Sequence, residues 1–471
     1  MSKEKVKKPE REATLGPSLL MLLLTVVILS VCIIGLGQDV QIPLMLASGM
    51  LIAYGGFYLH ISWKDMAAAI VESVASAIEV FLIIFLIGGT IGTWIASGVV
   101  PIIIKYGLMI FSPHFFLLTI LIICCIMSVV TGSSWTTMGT VGIAFMGVGE
   151  GLGMNPAITA GCIACGAFFG DKMSPMSDST NYAAAVAETD LYKHVYSMIY
   201  TTGPAIVVSA IIFTVMNLMN PGNGDAAVIQ ELISGLDAAF NLNPALLIPL
   251  VLMIVLILLK VPAMPCMIIC ALTGAIFAVI FQGTDAATIL SNLMSGYVSE
   301  TGNASLDKLL TRGGMSSMYG TVALMCWSLT MAGLMMRCGI VSAIMLKAEG
   351  LTKKRTSLIM THLVSGYVLS FIAADPYLAM ILPAKSFGPK YDELGIDRCV
   401  TSRTCEDGGT LVCPMVPWGT SGVYTASTLG VATMEYLPYY LMGYINPIFV
   451  LLCAVTGFGI IKAEKKETAD K

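Results

Sequence analysis

The sequence predicts an all-α polytopic membrane protein: two inverted-topology repeats with broken helices, about ten full spans and two re-entrant hairpins. Three observations carry this. Of 471 residues, 56% are hydrophobic and 11% charged, whereas soluble domains carry about 25% charged residues. The apolar runs, such as 19–36 and 246–259, are continuous rather than alternating, which selects a helix bundle over a β-barrel. Polar, Gly- and Pro-rich breaks interrupt the spans at corresponding places in the two halves, the pattern of transporters with discontinuous helices.

The elements follow in order. Residues 1–16 form a tail with Lys3, Lys5, Lys7, Lys8 and Arg11. The apolar run after it is long enough to span and ends without a small-residue cleavage site, so it reads as a retained first helix. Apolar segments lie near 17–36, 41–59, 77–98, 113–152, 155–173, 198–219, 244–260, 263–282, 317–337, 356–388, 400–430 and 437–461. The stretch 61–76, with Trp63, Lys64, Asp65 and Glu72, reads as an amphipathic interfacial helix. Segment 356–388 is too long for one span and short for two, and it breaks at Asp375-Pro376. Proline disfavours helix in the residue before it, so a re-entrant hairpin fits. Segment 113–152 has the same ambiguity of length.

Basic residues fall on one side. Lys347, Lys353, Lys354 and Arg355 form one cluster, and Lys462, Lys465, Lys466 and Lys471 another. The loop 221–243 carries Asp225, Glu231 and Asp237 but no Lys or Arg. The positive-inside rule then puts both termini in the cytoplasm and that loop outside. The division is a tail 1–16, a first repeat 17–220, an extracytoplasmic linker 221–243, a second repeat 244–461 and a tail 462–471. Each repeat crosses an odd number of times, so the two are inverted. Sequence matches agree: Met127-Ser128 with Leu369-Ser370, Met138 with Met380 and Phe145 with Phe387, all 242 apart, and Pro175-Met176 with Pro414-Met415, 239 apart. An ion channel is the competing class, but it more often surrounds one pore with identical subunits.

Four polar stretches enter the predicted membrane: 131–137, 170–181, 375–377, and 402–410 continuing to 417–422. They hold the acids Asp171, Asp178, Asp375, Glu406 and Asp407, the amide of Asn181, the base Arg403, and the hydroxyls of Ser133, Ser134, Thr136, Ser174, Ser177, Thr180, Thr410 and Thr420. A charge at the bilayer centre costs at least about 2.5–3.5 kcal/mol, so such acids are seldom idle. Carboxylate, hydroxyl and freed carbonyl oxygens suit Na+, with Asp178, Asn181 and Glu406 as the first ligands to expect. Burial also favours the protonated acid, so one carboxylate can hold either H+ or Na+. The plainer reading is that Asp171 with Lys172, and Arg403 with Glu406 or Asp407, are ion pairs that lock broken helices. For the hydroxyls, bonds to the i−4 carbonyl are the commoner role.

Other chemistry finds little support. Net charge is −4, so no basic face for nucleic acid exists. The 13 cysteines are scattered through apolar runs and the four histidines are dispersed. No metal cluster, nucleophile–base pair or phosphate loop marks an enzyme, and no cofactor is expected.

The run 166–181, GAFFGDKMSPMSDSTN, resembles the signature of the NhaC family of Na+/H+ antiporters. Runs 402–410, 417–420 and 444–447, with Ile91 to Gly98, are similar to other segments of that family. The likeness extends over nearly the whole chain. It implies a scaffold part, a transport part with two opposed hairpins, a dimer, elevator-type movement, Na+ and H+ as the coupled ions, and a bacterial cytoplasmic membrane. The family includes malate/Na+-lactate antiporters, so a small carboxylate or amino acid is the alternative cargo, with Arg403 as its carboxylate partner. Gly419-Thr420-Ser421 stand where the family often has Asn-Thr-Cys, which removes an amide from the second-half site.

Overall fold

A computed structural model describes residues 10–222, 226–259, 261–348, 350 and 352–463. The lysines at 3, 5, 7, 8, 465, 466 and 471, and Asp225, lie outside the described residues. The described chain is all-helical. Helices α1 (Leu15–Ser30), α2 (Gln41–Ala53), α3 (Trp63–Ala75), α4 (Ile78–Ala96) and α5 (Val99–Ile110) lead to α6 (Phe116–Thr131), α7 (Ser134–Thr137), α8 (Ile143–Gly151), α9 (Pro156–Met173), α10 (Asp178–Val186) and α11 (Leu191–Met219). Then come α12 (Ala226–Ala239), α13 (Ile248–Leu258), α14 (Ala263–Gln282), α15 (Ala286–Ser295), α16 (Ala304–Leu310), α17 (Tyr319–Arg337) and α18 (Ile340–Ala348). The last are α19 (Arg355–Ala373), α20 (Pro376–Glu393), α21 (Arg398–Gly408), α22 (Thr420–Leu429), α23 (Thr433–Tyr436) and α24 (Met442–Thr456).

Among the described residues, 7 helices are long and apolar enough to cross a bilayer, or 9 if two bent pairs count as spans. This is a polytopic membrane protein with fewer uninterrupted spans than the ten expected. The reason is local: Gly, Pro and charged residues cut the segments at 113–152 and 400–430 into shorter helices, and α9, though unbroken over 155–173, carries Asp171 and Lys172 in its last turn and is not among the apolar spans. The expected linker at 221–243 contains α12, which meets the next apolar helix at a 101° bend. Helix α3 does form over the amphipathic stretch, but it packs closely on α17: a Cβ on Gly333 would come within 2.7 Å of the Ala69 carbonyl.

Two helix–turn–helix pairs organise the interior. In the first, α6 turns at Gly132-Ser133 into α7 and α8. The turn has Gly132 at φ +67 and Ser133 accepting from the Thr136 N–H at 3.1 Å. In the second, α19 turns into α20 with Ala374 at φ +55 and Asp375 accepting from the Leu378 N–H at 2.9 Å. These turns lie 242 residues apart, as do Ser128 and Ser370, whose hydroxyls donate to the Ala167 and Gly408 carbonyls. A left-handed residue closing one helix and an N-cap opening the next is what a tight reversal needs.

Helix α11 shows how the pairs are placed. Asn217, near its end, accepts from the Leu117 N–H at 2.8 Å and donates to the Pro113 carbonyl at 2.6 Å. Gly222 sits on the Leu152 carbonyl. Both open ends of the first pair therefore meet the end of α11. Near its start, the Ser197 carbonyl shares the Arg403 guanidinium with the Gly459 carbonyl. The segment 454–463 also binds Arg355 at the start of α19 and residues 395–397 after α20. The second pair therefore opens at the other end of α11, about 30 Å away at 1.5 Å per residue.

Gly132→Ala should destabilise the fold by at least about 1–2 kcal/mol, the cost of a left-handed non-glycine residue, since its Cβ would also meet the Met176 carbonyl carbon at 2.7 Å. Ala374→Gly should not destabilise. Thermal unfolding of the two detergent-purified variants checks the asymmetry; equal melting temperatures would refute it.

Candidate functional site

The two hairpin tips and the broken helices line a central cavity of about 930 Å³. Its walls include Ser133, Ser134, Thr136, Asp171, Asp178, Asp375, Thr410 and Thr420, with Trp135 stacked on Tyr424 at 4.2 Å between centroids. Glu72 and Glu79 lie on its exposed rim. Arg337 also lines it, but its guanidinium is engaged by Glu10 at 2.9 Å and Asp65 at 3.8 Å. The polar part of the lining is thus mainly carboxylates and hydroxyls, which attract cations.

Asp171 closes one wall from the last turn of α9. The Ser134 N–H and hydroxyl donate to one carboxylate oxygen at 3.1 and 2.6 Å, and the Ser177 hydroxyl donates to the other at 2.5 Å. A first-half tip is thereby fastened to a broken helix. On the other tip, the Thr420 N–H donates to the Ala374 carbonyl at 3.0 Å. Asp178 is exposed to the cavity and accepts from the Tyr377 hydroxyl at 2.7 Å, a bond between the halves.

Three expected ligands turn elsewhere. The Asn181 amide donates to the Pro175 and Ser177 carbonyls at 2.9 and 2.7 Å and does not face the cavity. Ser174 donates to the Val129 carbonyl at 2.7 Å, and Thr180 to the carbonyls of Asp171 and Lys172. Asn181 and Thr180 satisfy carbonyls freed where α9 breaks, and Ser174 one in the last turn of α6, which is the ordinary work of polar side chains at helix ends.

Behind the cavity wall lies a second polar layer. α21 is buried along its length, held close because Gly366 rides on the Gly408 backbone. It carries Arg403, Glu406 and Asp407, all at most 1% exposed. The ion pairs differ from those expected. Lys172 pairs with Asp407, not Asp171, and both are fully buried. Asp407 also accepts from the Asn446 amide at 2.8 Å and the Thr201 hydroxyl at 3.2 Å. Arg403 gives its bonds to backbone carbonyls and pairs with neither Glu406 nor Asp407. Residues three and four apart on one helix looked like partners, but Asp407 is met by Lys172 of α9, Thr201 of α11 and Asn446 of α24, and Arg403 by the Ser197 and Gly459 carbonyls. Among the described residues, neither carboxylate oxygen of Glu406 accepts a hydrogen bond, and the Asn446 carbonyl oxygen is also unpartnered. Asn446 and Thr201 were not anticipated as site residues. An amide within an apolar run, in the quoted stretch 444–447, was the available signal.

A helical membrane protein whose paired tips and broken helices meet at a polar, carboxylate-lined cavity is a secondary transporter. The chain matches the model of the Na+/H+ antiporter family over residues 166–458. It is 36% identical to the Na+/H+ antiporter NhaC of Alkalihalophilus pseudofirmus over 459 residues, covering 97% of this chain and 98% of the relative. It is 40% identical over 418 residues to the malate-2H+/Na+-lactate antiporter of Bacillus subtilis (87% of this chain, 89% of the relative). It is 31% identical over 472 residues to the arginine/ornithine antiporter ArcD of Halobacterium salinarum (98% and 96%). The chain belongs to the Na+/H+ antiporter family.

Proposed function

We propose that the protein exchanges Na+ for H+ across a bacterial cytoplasmic membrane, and that Glu406 is the group they contest. The observation that carries this is a fully buried carboxylate whose oxygens accept no hydrogen bond among the described residues, beside the buried Lys172–Asp407 pair. Such a group is stable only with a proton or a cation on it. One carboxylate with two alternative occupants is the minimum needed for antiport. Na+ enters through the carboxylate-lined cavity, where Asp171, Asp178 and Asp375 with Ser133, Ser134, Thr136, Thr410 and Thr420 replace its hydration shell.

The organisation proposed with it is two inverted repeats, 17–220 and 244–461, with both termini cytoplasmic and two copies forming a dimer. Equal 242-residue spacing of the hairpin turns and their opening at opposite ends of α11 support that reading. A carboxylate cargo has less support: Arg403 is occupied by backbone carbonyls and does not face the cavity.

The test is purified protein in proteoliposomes with an imposed pH gradient and a fluorescent pH probe. NaCl alone should dissipate the gradient saturably. A response that requires malate, lactate or an amino acid in addition would instead assign a metabolite exchanger. Asp178→Asn removes one cavity charge, worth roughly 1 kcal/mol at 4 Å in water. The half-saturating Na+ concentration should rise about fivefold, with the maximal rate retained. An unchanged half-saturation would take Asp178 out of the entry path.

A further inference from the structure

A second set of buried polar groups runs along α11 and α21 toward Glu406, outside the cavity lining. α11 and α21 run side by side in the same sense, joined by three rungs. His194 Nδ1 meets the Ser402 hydroxyl at 2.6 Å. Arg403 donates to the Ser197 carbonyl at 3.1 Å. Thr201 donates to Asp407 at 3.2 Å. Residues 194, 197 and 201 share one face of α11, as spacings of three and four require.

Among the described residues, polar atoms along this track make no hydrogen bond. They are His194 Nε2 on the first rung, Ser197 Oγ and Arg403 Nε on the second, then Asn446 Oδ1 and both oxygens of Glu406 beside the third. Each of these residues is at most 1% exposed. Buried polar groups are normally paired, and leaving one unpaired is costly. Five of these six atoms lie on α11 and α21 and the sixth, Asn446 Oδ1, on α24; waters, each bonding to about three otherwise unsatisfied groups, would link them. One end lies at the Gly459 carbonyl, which binds Arg403 and is partly accessible. The other end is the Glu406 carboxylate. None of these residues lines the cavity.

We propose that this track is the proton route to Glu406, separate from the cavity through which Na+ arrives. The inference rests on the antiport reading and extends it: the two ions reach one carboxylate from two sides. The proton passes from the His194–Ser197 end along hydroxyl, ring nitrogen and water to a Glu406 oxygen, while Na+ leaves that oxygen for the cavity. Charge at Glu406 is unchanged by the swap. Arg403, Lys172 and Asp407 flank the track. As fixed charges they hold its dipoles in order, and the proton does not rest on them.

Two exchanges separate this role from a structural one. Na+/H+ exchange needs the proton route, whereas isotopic Na+/Na+ exchange uses the cavity alone. Ser197→Ala and His194→Phe, each in full-length protein in proteoliposomes, should slow Na+/H+ exchange about tenfold. Radioactive Na+/Na+ exchange should stay within twofold. The H2O/D2O rate ratio should rise in Ser197→Ala, and Ser197→Thr, which keeps the hydroxyl, should restore the parent rate. The proposal is overturned if both variants leave Na+/H+ exchange within twofold, or if they slow the two exchanges equally. A parent protein with Na+/H+ exchange and two inert variants rejects the track alone. A parent protein with neither exchange rejects the antiport reading and the track with it.

Discussion

The Glu406→Gln protein should insert, purify and melt close to the parent, yet lose Na+-driven proton movement by at least about a hundredfold, the factor that roughly 2.7 kcal/mol represents. Its fold should survive because the parent carboxylate makes no hydrogen bond that the amide would break. Its transport should not, because an amide neither releases a proton nor balances Na+. Proteoliposome assays with a pH probe, alongside size-exclusion profiles, check both halves of the statement. Residual exchange above a tenth of the parent rate would move the contested carboxylate elsewhere, with Asp171 next in line through its place in the cavity wall.

The second large effect is on stability. Lys172→Met leaves the fully buried Asp407 carboxyl without its cation, with only the Asn446 amide and the Thr201 hydroxyl to face it. Breaking a buried pair from one side costs on the order of 3–5 kcal/mol. The double variant Lys172→Met with Asp407→Asn carries no unpaired charge and retains an acceptor for Asn446, so it should recover most of that loss. Thermal unfolding should rank the parent and the double variant above Lys172→Met. A single variant as stable as the double would mean the pair is not coupled in the folded protein.

Much of this architecture was legible because membranes punish polar residues. Asp171, Asp375 and the run 402–410 stood out within apolar segments, and the structure puts each at a helix break or on a buried helix. The turn at Asp375-Pro376 was legible from proline stereochemistry, and the matching turn at Gly132-Ser133 from its 242-residue spacing. Partnership was not legible. Arg403 and Glu406 are neighbours on a helix, so local spacing made them a pair, yet Lys172 finds Asp407 from 235 residues away. Nothing local in the chain encodes that contact. The bonds of Asn181 were not legible for a related reason: its amide satisfies carbonyls freed four and six residues earlier, a role with the same sequence signature as a ligand.

That 235-residue separation has a consequence for how the protein is made. Chains grow at about 5–20 residues per second. For roughly 10–50 s after Lys172 leaves the ribosome, the carboxylate that will neutralise it has not been synthesised. A fully buried lysine whose partner is missing costs on the order of 3–5 kcal/mol, so α9 should not settle into its final place during that interval. The first half waits, loosely seated or shielded by the insertion machinery, and the arrival of α21 completes both halves at once. Assembly in this protein is therefore gated by its last third. A nascent chain arrested before residue 407 should expose Lys172 to water-soluble amine reagents that the finished protein excludes.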